Sequence, residues 1–414
     1  MTKVTSSSKA CAVAISTRNT RNLTEYLFFY PRYSVHSVCY SGLLCLLLLC
    51  SACRDENEIF VPEGETVTGE DNIPKEIVGF YLLNEGNMGS NKSTLDYFDY
   101  TNKTYTRNIY AAANPTVPME LGDVGNDLQI YGQRMYAVIN CSNKIEVMDA
   151  QTTRRIGQIN IPNCRYIAFQ GKYAYITSYA GPVIIRPDYE QVGYVAKVDT
   201  ATLRVVAQCL VGFQPDELEI VGDSLYVANS GGYMVPNYER TVSVIDLATF
   251  TEVNRIDVEI NLHRLQADQY GKLWVSSRGD YEGVSSALFW INTHTQAVEG
   301  KLDIPVSDFW LDGDSLYICS TAWSNISEGN GVSYGMVDVK QKKVVSRQLI
   351  KDGTEREISY PYGIFVHPDT KDFYIADAFN NVYPGMLYCF DKEGKKKWKE
   401  GTGDIPGHIA FLKK

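Results

Sequence analysis

Beyond Cys53 the sequence lacks closely spaced cysteines, the pattern on which disulfide-bonded domains and zinc sites depend. It has ten cysteines, but only five follow Cys53, and none of these belongs to a CxxC pair. The five are Cys141, Cys164, Cys209, Cys319 and Cys389. Three of them stand in apolar segments, where a free cysteine behaves as a small hydrophobic residue. This pattern argues against a disulfide framework, and we predict no metal site.

A surplus of positive charge is also absent. Lysine and arginine total 39 against 49 acidic residues, and removal of residues 1–52 would leave 34 basic and 48 acidic residues. Nucleic-acid binding needs a basic footprint, so we predict no nucleic-acid partner. An acidic balance favours solubility and suits a protein that works away from nucleic acid.

The common catalytic motifs are missing as well. The chain contains no HExxH pair and no glycine-rich phosphate loop. Histidines are few, and only His263, His294, His367 and His408 follow residue 53. These absences argue against the hydrolases and nucleotide-dependent enzymes that such motifs mark.

The longest apolar run near the N-terminus, GLLCLLLLC at residues 42–50, is too short to span a bilayer comfortably. It fits the core of a signal peptide, and Ser51-Ala52-Cys53 resembles a bacterial lipobox, although Leu49 stands one place further from the cysteine than usual. We therefore predict that residues 1–53 are an N-terminal extension with a lipoprotein signal peptide and that Cys53 is lipidated. A plain signal peptide, an N-terminal anchor helix or a later start codon are the alternatives.

Residues 54–76 read as an acidic flexible tether, because they contain several acids and prolines and no apolar period. The acidic run at residues 54–58 resembles the export signal of surface lipoproteins in Bacteroidetes-type bacteria. A solvated tether is the simpler interpretation, and both can hold. The resemblance implies a surface-exposed outer-membrane lipoprotein that contacts the membrane only through its N-terminal lipid.

From Ile77 onward one unit of four short strands recurs every 40 to 50 residues. Its clearest copy, residues 222–258, alternates apolar and polar side chains with the period of strands. Repeats of this length indicate a β-propeller with one unit per blade. The first unit lacks its innermost strand, whereas residues 405–412 (IPGHIAFL) remain unused, so we predict that this C-terminal strand closes the ring. The fold class is all-β, with seven blades over residues 77–414; six or eight blades are the alternatives.

The repeat resembles YVTN/YncE-like propellers, most clearly in LYVAN at residues 225–229 and VSVID at residues 242–246. An aspartate ends the third strand of most units and precedes a short turn. These residues are Asp149, Asp199, Asp246, Asp338 and Asp391. We predict that their carboxylates bond turn amides and have a structural role.

The two faces of such a propeller would differ. Connections such as Gly222-Asp223 are tight hairpins, whereas the opposite face carries long loops rich in tyrosine and asparagine. Long loops on a rigid scaffold often bind ligands, and aromatic rings with amides make good recognition surfaces. The candidate binding residues are Asn84, Asn87, Tyr179, Tyr189, Tyr233, Tyr238, Arg278, Tyr281, Trp323, Phe379 and Asn380 from the loops, and Arg165, Arg264 and His408 from the entries to inner strands. The same face is expected to carry Glu85, Met88, Asn126, Gln214, Asp216, His263, Asp308 and Tyr362.

Both ends of the repeat region carry a sharper resemblance. LLNEGN at residues 82–87, STLD at residues 93–96 and DIPGH at residues 404–408 are similar to surface propeller lipoproteins of gut Bacteroidetes. Some of these bind cobalamin and pass it to a TonB-dependent outer-membrane barrel. The resemblance implies cobalamin or another corrinoid as a ligand, not as a catalytic cofactor, and the barrel as a partner. A bowl of tyrosine, asparagine and arginine suits a flat molecule fringed with amides.

Two other functions remain open. The same face could bind glycans or a partner protein. His263 and His408 could also meet near the axis, with Arg264, and so resemble metal-dependent propeller lyases. A lone pair of histidines without a catalytic motif is weak support for catalysis. We therefore predict a binding protein with no catalytic residues.

Overall fold

The computed structural model describes residue 62, residues 64–70, residue 74 and residues 76–117, 121–321 and 332–414. The predicted signal peptide, the lipidation site Cys53 and the candidate binding residue Trp323 lie outside the described residues. Within the described part, no helix is both long and apolar enough to cross a membrane.

The described residues form seven antiparallel sheets in series, and the predicted seven-bladed β-propeller is confirmed. Blade 1 holds β1 (Gly64–Thr66), β2 (Ile77–Asn84), β3 (Thr94–Asp99), β4 (Thr104–Thr106) and β29 (Pro406–Lys413). Blade 2 holds β5 (Gly125–Tyr131), β6 (Arg134–Ile139), β7 (Lys144–Asp149) and β8 (Arg155–Asn160). Blade 3 holds β9 (Cys164–Gln170), β10 (Tyr173–Ser178), β11 (Tyr194–Asp199) and β12 (Arg204–Leu210). Blade 4 holds β13 (Pro215–Val221), β14 (Ser224–Asn229), β15 (Thr241–Asp246) and β16 (Thr251–Asp257).

The remaining blades repeat this order. Blade 5 holds β17 (Leu262–Ala267), β18 (Lys272–Ser277), β19 (Ala287–Asn292) and β20 (Ala297–Leu302). Blade 6 holds β21 (Asp308–Asp312), β22 (Ser315–Ser320), β23 (Ser333–Asp338) and β24 (Lys343–Ser346). Blade 7 holds β25 (Pro361–Val366), β26 (Phe373–Asp377), β27 (Pro384–Phe390) and β28 (Lys396–Asp404). A short helix, α1 (Ile109–Ala113), follows β4, and a 3-10 turn (Thr354–Arg356) precedes blade 7.

Ring closure follows the prediction. The C-terminal strand β29 pairs antiparallel with β2, with Leu82 opposite Ile409 and Leu83 opposite His408. It thus supplies the innermost strand that the first unit lacks. The first and the last strands of the repeat region therefore belong to the same sheet. Closure completes blade 1, and the radial arrangement of the blades leaves only short, protected sheet edges.

The middle strands of each blade are buried on both faces because neighbouring blades stack against each other. In β14, for example, every residue after Ser224 is buried, whereas the outermost strand β16 is mostly exposed. Aromatic rings fill the seam where blades 7 and 1 meet. Phe80 lies 5.2 Å from Tyr374 and Phe98 lies 5.1 Å from Trp398, measured between ring centroids.

The turn aspartates act as predicted. Asp246 accepts hydrogen bonds from the backbone N–H and the hydroxyl of Thr249, at 2.7 and 2.8 Å. Asp149 and Asp199 make the same pair of bonds to a threonine three residues later. The five described cysteines are all free.

Part of the segment predicted to be a flexible tether is packed on the propeller. Strand β1 pairs with β4 and gives blade 1 a fifth strand. Val67 is 2% exposed and Glu70 is 1% exposed. Lys397 of blade 7 lies 2.6 Å from Glu70 and 2.7 Å from Asp372. A buried ion pair therefore joins this segment to the last blade, which the acidic composition of residues 54–76 does not reveal.

Candidate functional site

A cavity of about 690 Å³ opens at the propeller axis on the face that carries the long loops. We call it the axial cup. All seven blades contribute to it, because its wall is built from the first residues of inner strands and from the loops after second strands. Its charged and aromatic lining residues are Glu85, Arg165, Tyr166, Tyr179, Tyr233, His263, Arg264, Arg278, Tyr281, Asp308, Tyr360, Tyr362 and His408.

Two arginines on one side of the cup share a single carboxylate. Arg165, at the start of β9, donates from Nε to Asp216 Oδ1 at 3.1 Å, and Arg278, just after β18, donates to Asp216 Oδ2 at 3.1 Å. The hydroxyl of Tyr179 donates to Oδ1 at 2.7 Å, and its ring lies 4.8 Å from the guanidinium carbon of Arg165. Asp216 is fully buried. This cluster carries a net charge of +1 at neutral pH.

The third arginine of the cup is held differently. Arg264 lies 2.8 Å from Asp308 and 3.3 Å from Glu217, so it faces two carboxylates. Both acids also bind the next blade: Glu217 accepts the backbone N–H of Leu265 at 2.6 Å, and Asp308 accepts that of Ile364 at 3.0 Å. Burial raises the pKa of Glu217 to about 8, although Arg264 and the Leu265 N–H oppose the shift. Arg264 is therefore part of the bonding between inner strands.

On the opposite side of the cup, Glu85 joins blades 1 and 7. Its Oε2 accepts the hydroxyl of Tyr362 at 2.8 Å, and its Oε1 lies 3.2 Å from Nε2 of His408. Tyr362 is partly buried at the start of β25, and burial, reinforced by the negative charge of Glu85, raises the pKa of its hydroxyl well above the usual value. This side thus presents a carboxylate with an imidazole and a phenol.

The two histidines expected near the axis both line the cup, and Tyr166 lies between them. The Tyr166 hydroxyl is 3.0 Å from His263 Nε2, and its ring centroid is 6.3 Å from that of His408. Burial, with a smaller contribution from Arg278 and the other cup arginines, lowers the pKa of His263 well below its usual value. His263 is therefore a neutral imidazole at physiological pH.

The mouth of the cup is apolar and aromatic. Met88 is 66% exposed and Ile185 is 70% exposed, and Val235 and Tyr281 are also open to solvent. Exposed side chains of this kind at a concave opening are typical of ligand sites. The cup thus has an apolar rim above a charged floor.

Eight of the fourteen candidate residues line the axial cup. They are Asn87, Arg165, Tyr179, Tyr233, Arg264, Arg278, Tyr281 and His408. Whether they contact a ligand remains a prediction.

Five further candidates lie elsewhere. Asn84 is fully buried and donates to Thr94, and Tyr189 is buried with its hydroxyl bonded to Pro182. Asn380 accepts N–H groups of its own loop, and Tyr238 and Phe379 are outside the cup lining. The sequence did not single out Tyr166 or Tyr360, which also line the cup. Tyr166 is the third residue of the inner strand β9, and Tyr360 directly precedes the inner strand β25.

One group of potential metal ligands lies outside the cup. Within the described residues, Glu70, Asp372 and Cys389 are the one set of three whose ligand atoms lie within 4.8 Å of one another. The ammonium of Lys397 already bridges the two carboxylates, so the group has a cation of its own.

Comparisons with known proteins support the fold. A family model described as a domain of unknown function, DUF5074, matches residues 78–402. No curated protein sequence matches the chain. A solved quinonprotein alcohol dehydrogenase-like protein from Bacteroides thetaiotaomicron is similar at a TM-score of 0.54 and 13% identity, over 81% of this chain and 79% of that one. Hydrazine synthase of Kuenenia stuttgartiensis is similar at a TM-score of 0.52 and 16% identity, over 65% of this chain and 77% of that one. At such identities the likeness concerns the fold alone.

Proposed function

The chain belongs to the DUF5074 family, and we propose that it is a binding protein whose axial cup captures a small molecule. The observation that carries this proposal is the cup itself. Its volume of about 690 Å³ lies within the range typical of ligand sites, and all seven blades contribute to its wall. Apolar rim residues can pack on the body of a ligand, while the arginines, tyrosines and acids below can bond its polar groups.

Cobalamin is the ligand that we prefer. A corrinoid is flat and carries amides around its edge, and a cup with Arg165, Tyr233 and Asn87 in its wall offers donors to amide oxygens. Glu85 and Asp308 offer acceptors to amide N–H groups on the other side. A corrinoid is larger than the cup, so part of it would extend beyond the mouth, where Met88 and Ile185 are exposed.

The wider role remains a proposal based on sequence. Lipidation at Cys53 would hold the protein on the outer membrane, and a TonB-dependent barrel would receive the captured ligand. We propose that the protein performs no catalysis and uses no cofactor. Residues 82–87 and 404–408 resemble surface propeller lipoproteins of gut Bacteroidetes, and this resemblance supports the role. Glu85 and His408, which come from those two segments, contact each other in the cup.

Calorimetric titration with cyanocobalamin tests the proposal. We expect the chain from residue 54 onward to bind with micromolar or tighter affinity. Tyr233→Ala and Tyr281→Ala should each weaken binding by about tenfold, because each removes aromatic contact area from the cup wall. Tyr383→Ala is the matched control, since Tyr383 is 64% exposed and lies outside the cup lining.

The outcomes separate the possibilities. No heat of binding at micromolar concentration would rule out cobalamin. Binding that is equal in the two cup variants and in the control would place the site elsewhere. Binding of a soluble glycan that depends on Tyr233 and Tyr281 would favour the glycan alternative.

A further inference from the structure

We infer that the axial cup contains an anion subsite formed by Arg165 and Arg278, which receives an acidic group of the ligand, a phosphate diester or a carboxylate. The inference rests on the proposed binding function of the cup and specifies the chemistry of its ligand.

The charge balance of this cluster supports the subsite. Arg165 and Arg278 each bond one oxygen of Asp216, both at 3.1 Å, and no further carboxylate forms an ion pair with either of them among the described residues. Two guanidinium groups and one carboxylate leave one positive charge in a partly desolvated wall. Such a charge attracts an anion more strongly than an exposed arginine does, because water screens it less.

Unused donors support it as well. A guanidinium has five N–H groups. Among the described residues, Arg165 donates only through Nε and Arg278 only through one terminal nitrogen. Their side chains are 13% and 25% exposed, and both line the cup. The remaining N–H groups are thus available to a ligand, and guanidinium matches the geometry of carboxylate and phosphate oxygens.

The pair is also held in place before a ligand arrives. Asp216 is fully buried and accepts the Tyr179 hydroxyl in addition to the two arginines. The ring of Tyr179 packs against the Arg165 guanidinium at 4.8 Å. Less side-chain entropy is therefore lost on binding than with free surface arginines.

The charges in the rest of the cup determine how a ligand with one acidic group would be oriented. Arg264 pairs with Asp308 at 2.8 Å, so its charge is offset by the scaffold. Glu85 on the far side would repel an anion. An acidic group is therefore favoured at the wall of blades 3 to 5, and hydrogen-bond donors of the same ligand are favoured near Glu85.

The first experiment uses small anions. Inorganic pyrophosphate and citrate, titrated separately into the full-length protein at millimolar concentration, represent the phosphate and carboxylate classes. We expect at least one to bind, and we expect Arg165→Gln and Arg278→Gln each to weaken it roughly tenfold to a hundredfold. Arg240→Gln is the control, because Arg240 pairs with Asp257 on an exposed surface and does not line the cup. Failure of both anions to bind, or equal binding by all variants, would overturn the inference.

Folding and ligand identity are controlled separately. Arg165→Gln leaves Asp216 paired with Arg278, and Arg278→Gln leaves it paired with Arg165, so both single variants should fold, and their melting temperatures check this. Cyanocobalamin contains a phosphodiester, which dicyanocobinamide lacks. If cyanocobalamin binds, the arginine variants should weaken it and leave dicyanocobinamide unchanged; equal affinities would refute the subsite but not the binding function. If cyanocobalamin does not bind but an anion still binds through the arginines, the subsite stands and the cobalamin preference fails.

Discussion

Replacing Lys397 by methionine should destabilise the propeller strongly, because its ammonium bridges a buried glutamate of the N-terminal segment and a buried aspartate of the last blade. Lys397 Nζ lies 2.6 Å from Glu70 and 2.7 Å from Asp372, and all three side chains are at most 10% exposed. Burial by itself lowers the pKa of Lys397, but its hydrogen bonds to Asp372 and Glu70 outweigh burial, and the net pKa is raised. The ammonium is therefore charged in the folded protein.

The magnitude follows from what the substitution leaves behind. Methionine fills similar space but leaves two buried carboxylates without the cation that bridges them. Breaking a buried ion pair in this way typically costs about 3–5 kcal/mol. Trp398 still donates to Glu70 at 3.0 Å and offsets a part of the loss. We expect a destabilisation of about 3 kcal/mol.

Lys399→Met is the matched control on the same strand. Lys399 lies 2.8 Å from Glu357, but its side chain is 45% exposed and that of Glu357 is 41% exposed. Exposed pairs contribute about 0–1 kcal/mol, so this variant should unfold close to the wild type. Urea denaturation followed by tryptophan fluorescence compares the midpoints, since Trp398 lies in the affected seam.

Equal midpoints for the two variants would refute the proposed role of the buried pair. Addition of Glu70→Gln to Lys397→Met gives a second check. This change removes one of the two buried carboxylates that Lys397 bridges in the wild type, so the double variant should be more stable than Lys397→Met alone.

The remaining predictions concern Glu219 and the loop that carries Arg278. Burial raises the pKa of Glu219 from 4.5 to about 7. Its protonation therefore stabilises the folded state fully below pH 4.5, and this contribution to the free energy of unfolding is lost as the pH rises through 7. Glu219→Gln should therefore gain about 2 kcal/mol relative to wild type between pH 5 and pH 8, and an unchanged difference in melting temperature would contradict this. Gly279→Ala should lower both the melting temperature and ligand affinity, because Gly279 has φ +66° and an added Cβ would collide with the Val284 carbonyl. Gly283→Ala in the same loop meets nothing closer than 3.9 Å and should behave as wild type in both assays.

The fold was largely predictable because each blade repeats one local pattern. Alternating apolar residues give the strands, and an aspartate such as Asp246 gives the turn after the third strand. Even ring closure followed from a missing strand at one end and a spare strand at the other. The buried ion pair between Glu70 and Lys397 was not predictable, since Lys397 and its second partner Asp372 are more than 300 residues away from Glu70 in sequence.

The sequence predicted which face of the propeller carries the long loops, but not which side chains line the axial cup on that face. Long loops and entries to inner strands predicted the face that carries the candidate residues, and Arg165, Arg278 and His408 line the axial cup on that face. Which side chains turn toward the axis depends on how each loop folds back. Tyr189 illustrates this: its loop curls so that its ring is buried and its hydroxyl bonds Pro182 of the same loop.

Asn84 shows a more general reason why a polar residue on this face need not be a ligand residue. It is the last residue of the second strand of blade 1, and the equivalent residues of later blades are also buried and polar. Ser277 donates to the carbonyl of Ile260, and Asn229 accepts the N–H of Gly212. In both cases the residue bonds the connection that leads from the previous blade into its own. The repeat requires a hydrogen-bonding residue at this position. A polar residue that recurs in register is therefore explained by the scaffold, whereas Arg165 and Arg278 have no counterpart of their type at the same position in the neighbouring blade 4, where Asp216 and Ser230 stand. Departure from the repeat, more than polarity or loop length, is the sequence signal that points to the proposed binding residues.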